Sequence, residues 1–266
     1  MHKILAFMRR DWLVATSYRT GMLFSVIGLL VVVVPVYFIS GALQPVAGKA
    51  ISGEGRDFFA FLIAGMATYQ FVATGLGTVP TALASGLRTG TFEFQLTTPG
   101  RLHTILGGML AYPFVWTMVR AVALVVAAAF LGAQFGLDRL LFAVGIWGLI
   151  TLAYLPFGLI SCAFILVART PGPIPNAVLA VSTLLGGVYY PTHVIPSWLG
   201  EVSTVVPLTY GLRAFRRVMI DGSPLAQVRS DLEILLLLTA GLMTISLAAL
   251  AWAFRYARHT GNLAQY

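Results

Sequence analysis

Long apolar runs separated by short polar stretches organise this chain. Predominantly hydrophobic segments cover about 22–43, 58–84, 102–135, 140–168, 174–190 and 232–253. A helix needs about 20 apolar residues to cross a hydrocarbon core ~30 Å thick, so the pattern predicts six spans. They must be helical, because lipid leaves unpaired backbone groups no water to bond. The segment 102–135 would reach roughly 50 Å as one helix. It is expected to protrude, tilt or bend, with Pro113 as the candidate break.

Two further segments show helical periodicity without the length to cross. Over 2–20, Ile4, Leu5, Phe7, Met8, Trp12, Val14 and Tyr18 share one side and Lys3, Arg9, Arg10, Thr16 and Ser17 the other. A basic helix with Trp on its apolar face suits the membrane interface. An ordinary basic juxtamembrane segment is the other reading. Over about 192–221, Ile195, Trp198, Leu199, Val202 and Val205 recur at helical spacing, Pro207 interrupts, and Leu208, Leu212, Phe215 and Met219 recur again. Arg213, Arg216 and Arg217 are placed off that second stripe. The expectation is two short helices, re-entrant or interfacial, forming a hairpin before the last span. A single broken span is the alternative.

Between the second and third apolar runs lies 86–101, mostly polar and too short to cross. Thr89, Gly90 and Thr91 can start a helix, and Thr97, Thr98, Pro99 and Gly100 stop it. Arg88 and Arg101 suggest the cytoplasmic side. A solvated loop and a docking helix for a cytoplasmic partner both fit these residues.

Composition agrees with the pattern. The chain is 58% hydrophobic and 10% charged, with mean hydropathy +0.87. Soluble domains carry about 25% charged residues, so this is read as an all-α integral membrane protein forming a single transmembrane domain over 1–266. The net charge of +8 does not call for nucleic acid. With six spans and the N-terminus inside, the inner segments hold nine basic and two acidic residues, and the outer segments balance. That asymmetry places both termini in the cytoplasm of a multi-pass protein of the cell (inner or plasma) membrane. Arg120 falls near the middle of a span, where a charge costs on the order of 3 kcal/mol on insertion scales, so it should face protein or water. A functional role and plain structural pairing both remain open for it. The single Cys162 sits in an apolar run as a small packing residue.

Two motifs carry a resemblance. Gly90-Thr91-Phe92-Glu93-Phe94, with Leu96 and then Thr98-Pro99, resembles the coupling segment of type-2 ATP-binding-cassette (ABC) exporter permeases. The chain departs from that family's usual run of Leu at Gln95-Leu96-Thr97. Tyr189-Tyr190-Pro191, then Pro196-Ser197-Trp198, then Pro207-Leu208-Thr209-Tyr210, resembles the family's segment between its fifth and sixth spans. The resemblance implies an exporter of a hydrophobic drug, lipid or lipid-linked glycan. It implies a homodimer, or a dimer with a closely related permease, seated on two ABC ATPase subunits that bring ATP and Mg. Arg88, Gly90, Thr91, Phe92, Glu93, Phe94, Leu96 and Pro99 would then form the coupling helix. Tyr189, Tyr190, Pro191, Pro196, Trp198, Pro207 and Tyr210 would lie at the outer gate or pathway, where the aromatics suit either glycan stacking or an interfacial belt.

The residues themselves support an external source of ATP chemistry. A P-loop needs Gly-x-x-x-x-Gly-Lys-Ser/Thr, and neither Lys3 nor Lys49 has that context. The chain is therefore expected to bind no cofactor and to catalyse no reaction of its own. No metal-ligand spacing stands out, and His2, His103, His193 and His259 fall at span ends or outside. An ion-coupled secondary transporter is the rival class, but Arg120 has no intramembrane carboxylate to accompany it.

Overall fold

The computed structural model describes residues 12–13, 17, 19–51, 57–88, 102–168, 170 and 172–259. Most of 2–20 and all of 89–101 lie outside the described residues. Eight α-helices follow in order among those described: α1 (Arg19–Ala50), α2 (Phe58–Arg88), α3 (Leu102–Phe130), α4 (Leu140–Ala168), α5 (Ile174–Leu185), α6 (Ser197–Ser203), α7 (Pro207–Met219) and α8 (Leu225–His259). No strand occurs among the described residues.

Five of these, α1, α2, α3, α4 and α8, are long and apolar enough to cross a membrane. The protein is a multi-pass helical membrane protein. Four of the five depart from the hydropathy bounds. α1 covers 19–50 rather than 22–43, and α8 covers 225–259 rather than 232–253, because helices continue past the apolar boundary into polar ends. α2 continues to Arg88 and absorbs the first residues of the expected 86–101 helix. α3 ends at Phe130, not 135, and it does not break at Pro113. In apolar surroundings, leaving the helix would orphan more backbone groups than one proline does. A Schellman turn ends it instead: Ala133 N donates to Ala128 O at 3.0 Å and Gly132 N to Ala129 O at 3.1 Å, with Gly132 at φ 98°.

α4, which contains no charged residue, is the hub and packs along both α2 and α8. Its Trp147 is sandwiched between Phe71 of α2 (centroids 4.7 Å apart) and Phe215 of α7 (4.9 Å). Such offset aromatic pairs add about 0.5–1.5 kcal/mol each beyond area burial. Small residues allow close backbone approach at Gly75, where a Cβ would stand 2.4 Å from Thr151 O, and at Gly65, where it would stand 2.3 Å from Val188 O. Gly77 makes no such contact: its Cβ position opens on empty space.

The connections collect at two ends. At one, Phe58 N donates to Gln44 Oε1 at 2.8 Å and Gly136 N to Met219 O at 2.7 Å, bringing the α1–α2, α3–α4 and α7–α8 connections together. At the other, Arg88, Gly172 and Asn176 line one hollow. The segment 174–190 is not one continuous helix. α5 has 12 residues, about 18 Å, and ends at Gly186 and Gly187, the latter at φ 77°. Two adjacent glycines inside an apolar run break the helix without changing its hydropathy.

Candidate functional site

The middle of α4 shows how the expected hairpin is seated. Tyr154, the central residue of Leu140–Ala168, is fully buried. Its hydroxyl donates to Ser182 Oγ at 2.8 Å, near the end of α5, and accepts from Leu208 N at 3.3 Å, at the start of α7. α5 therefore covers one half of α4 and α7 the other. From Leu208, α7 runs antiparallel to α4: its Gly211 meets Ile150, its Phe215 stacks on Trp147, and its Met219 O accepts from Gly136 N. Pro207 is the first residue of α7, where a missing N–H orphans nothing, rather than an interruption within a helix.

The two stripes of the hairpin differ. Leu208, Leu212, Phe215 and Met219 are fully buried. Trp198, Val202 and Val205 are exposed, while Ile195 and Leu199 are half-buried and Leu199 packs on the core, so the first stripe meets the bundle only along one edge. Of the three arginines, Arg213 and Arg217 lie off the buried stripe as expected, and Arg216 does not. Arg216, four residues after Leu212, is 1% exposed. Its guanidinium lies 3.4 Å from the Phe61 ring centroid, and Nη2 donates to Phe61 O and Val188 O, each at 3.2 Å. Arg213 Nε reaches both oxygens of the buried Asp231 of α8, at 3.0 and 3.1 Å, and Arg217 Nη1 reaches Oδ2 at 3.4 Å. These bonds fasten α7 to α2 and α8.

Tyr189 and Trp198 are exposed, while Tyr190 OH donates to Leu184 O at the end of α5 and Tyr210 OH donates to Thr204 O at 2.8 Å within the hairpin. Pro191 and Pro207 are buried and Pro196 is exposed. No ring contact joins Tyr189, Tyr190 and Trp198 among the described residues, so the aromatics do not form one platform there.

A second site lies between α2 and α3. A groove of about 610 Å³ is lined on α2 by Tyr69, Gln70, Thr74, Thr78, Thr81 and Ser85. On α3 it is lined by Met109, Pro113, Thr117 and Arg120. The α2 residues recur every three or four positions on the face away from α4, spanning about 24 Å of helix. Thr74 donates to Gln70 O at 2.9 Å, Thr78 to Thr74 O at 2.7 Å, and Thr74 Oγ1 and Thr117 Oγ1 bond at 2.7 Å. Arg120 Nε and both amide atoms of Gln70 are buried without a hydrogen-bond partner. The groove thus holds a permanent cation and an amide with open valences. The hairpin stands over one end of it: Val188 contacts Gly65, one turn from Tyr69. This polar stripe of α2 was legible as a 3.6-residue period but is submerged in any hydropathy average.

Arg88 ends α2 and is exposed. Gly90, Thr91, Phe92, Glu93, Phe94, Leu96 and Pro99 lie outside the described residues. Trp12 packs edge-on to Tyr112 of α3 at 6.4 Å.

Long helices about a polar groove, with a half-height hairpin at one end, define a membrane domain of the transporter type. Residues 3–220 match the ABC-2 type transporter family, and the chain belongs to it. It is a type-2 ABC permease, and that family works in general with ABC ATPase partners. No curated protein matches the chain.

Proposed function

We propose that this permease is the transmembrane subunit of an ATP-driven exporter. It carries a hydrophobic drug, lipid or lipid-linked glycan out of the cytoplasm or the inner leaflet. Two copies, or one copy with a closely related permease, sit on two ATPase subunits that bind ATP and Mg. This chain binds no cofactor and catalyses no reaction. Both termini are cytoplasmic, and α5 with the 186–219 hairpin completes a sixth, broken crossing whose hairpin enters from the outer side.

The observation that carries the reading is the α2–α3 groove. A helical membrane protein without a polar cargo or water path gains nothing by leaving Arg120 and Gln70 unpaired inside it. The hairpin over the Tyr69 end then acts as the outer gate. The segment Gly90–Pro99 acts as the coupling helix, with Phe92, Phe94 and Leu96 as apolar anchors and Glu93 and Arg88 fixing register.

Co-purification with the ATPase encoded nearest this gene, followed by ATP-driven transport in proteoliposomes, tests the reading. Glu93→Ala should weaken coupling, and the double change Phe92→Ala and Phe94→Ala should also weaken assembly. Transport that needs an ion gradient and no ATPase would replace the exporter with an ion-coupled carrier.

A further inference from the structure

We infer that Arg120 and Gln70 form a binding site for the phosphate oxyanion of an amphipathic ligand, held with its headgroup in the groove and its chain along the apolar wall. The inference deepens the exporter reading and rests on it for the ligand's role as cargo.

Donor chemistry selects the anion. Thr74 and Thr78 direct their hydroxyl protons to backbone carbonyls, leaving oxygens that accept but do not readily donate. Ser85 likewise donates to Ala82 O, at 2.9 Å. The donors that face the groove are the Arg120 guanidinium and the Tyr69 and Thr81 hydroxyls. Arg120 Nε and the Gln70 amide lie in its wall without partners and reach a ligand when those side chains turn. No carboxylate lies within ion-pair distance of Arg120 among the described residues, whereas Arg213 and Arg217 share Asp231. A guanidinium with a carboxamide beside it matches a phosphate, which offers acceptor oxygens and a negative charge. The free Gln70 Oε1 and the threonine oxygens suit hydroxyl or ammonium protons on the same headgroup.

Position selects the amphiphile. Arg120 lies 18 residues into α3, about 27 Å from its first residue, and so is deep inside the bundle. The groove runs from there along Thr78 and Thr81 to Ser85, which shares a second hollow with Arg88. A headgroup entering at the Arg88 end meets hydroxyls throughout and a cation at the deep end. Ala73, Gly77, Ala82 and Met109 leave an apolar margin beside that track, and the groove is open along its length. An acyl or prenyl chain can therefore remain in lipid while the phosphate moves within protein.

The test is binding, separate from transport. Purified permease is placed in phosphatidylcholine nanodiscs, and binding of phosphatidic acid is measured by native mass spectrometry and by thermal shift. The wild type should retain phosphatidic acid over phosphatidylcholine. Arg120→Gln should lose about tenfold or more in affinity, the value of one or two charge-assisted hydrogen bonds. Arg120→Lys should keep most of it, and Gln70→Leu should lose a smaller part. Gln70→Leu carries the test by itself if Arg120→Gln does not fold. Inorganic phosphate in the buffer is the second probe. Weak, Arg120-dependent competition supports a lipid headgroup site, and phosphate binding as tight as phosphatidic acid overturns the amphiphile. Equal retention of both lipids, or no effect of Arg120→Gln and Gln70→Leu, overturns the site. Loss of site binding while the complex still transports would sink this inference and leave the exporter standing. Arg120-dependent binding in a permease that engages no ATPase would do the reverse.

Discussion

The α4–α7 seam and the α2–α3 groove each hold an arginine among apolar helices, and they treat it in opposite ways. Arg216 is enclosed, its guanidinium against the Phe61 ring and its Nη2 shared between two backbone carbonyls. Nε lacks an acceptor in both arginines, but Arg216 has its Nη2 bonds, whereas the half-buried Arg120 has no hydrogen-bond or ion-pair partner among the described residues and Gln70 is unpaired as well. Burying a charge is tolerable only with compensating partners. The seam supplies them from within the chain, so Arg216 is a structural joint. The groove does not, so its partner must come from outside the described fold. The same residue type is thus braced by backbone carbonyls in one region and left without a protein partner in the other.

The comparison breaks most visibly at the seam. Arg216→Ala removes the donor to Phe61 O and Val188 O and leaves a void beside the Phe61 ring. A cost of about 3 kcal/mol is expected from the stranded carbonyls and the cavity. The apparent Tm in detergent should fall by roughly 6–12 °C, and limited proteolysis should cut within 186–206 more readily.

Next in size is Gly65→Ala. Its Cβ would stand 2.3 Å from Val188 O, which is backbone and must shift. A loss of about 1–3 kcal/mol is expected, again read as apparent Tm. Gly77→Ala is the matched control in the groove. Nothing lies within 4 Å of that Cβ position, so stability should stay level or rise slightly with helix propensity. Asp231→Asn comes third, with a cost of about 1 kcal/mol. Asp231 is buried, but Arg213 and Arg217 are 34% and 40% exposed, and water screens part of the attraction. The measurement is the same melt, with salt as a second variable, since the wild-type advantage should shrink as ionic strength rises.

Legibility in the sequence followed the chemistry of each segment. The span at 140–168 is bounded to the residue, because Asp138-Arg139 and Arg169 flank an uncharged run. The α5 break was hidden because Gly186-Gly187 and Val188 are as apolar as a helix interior, and only their backbone angles set them apart. Arg216 falls beside the stripe of Leu208, Leu212, Phe215 and Met219, and it is buried because α2 and Val188 close over that edge of α7. The groove was readable only at Arg120. Its α2 wall is built from threonines and Gln70, whose polarity is too mild to interrupt a hydropathy profile and whose period required looking at one helix face at a time.

The smallest expected effect on stability is also the sharpest comparison. Arg216→Gln and Arg120→Gln make the same chemical change in two helices of one bundle. At the seam, glutamine is too short to keep both carbonyl contacts and the ring face, so the melt should fall towards that of Arg216→Ala. In the groove, the same change breaks no hydrogen bond at Arg120 Nε, because that atom has no partner to lose. It also removes a half-buried charge that no carboxylate among the described residues pairs. Arg120→Gln should therefore leave the apparent stability of the ligand-free protein within about 0.5 kcal/mol of the wild type, or raise it. Melts of the delipidated permease in neutral detergent, both variants side by side, decide the point. An Arg120→Gln melt as low as that of Arg216→Gln would mean that Arg120 already has a protein acceptor, contributed by a second copy of the chain. The groove would then be an assembly seam, and the contrast between the two arginines would disappear.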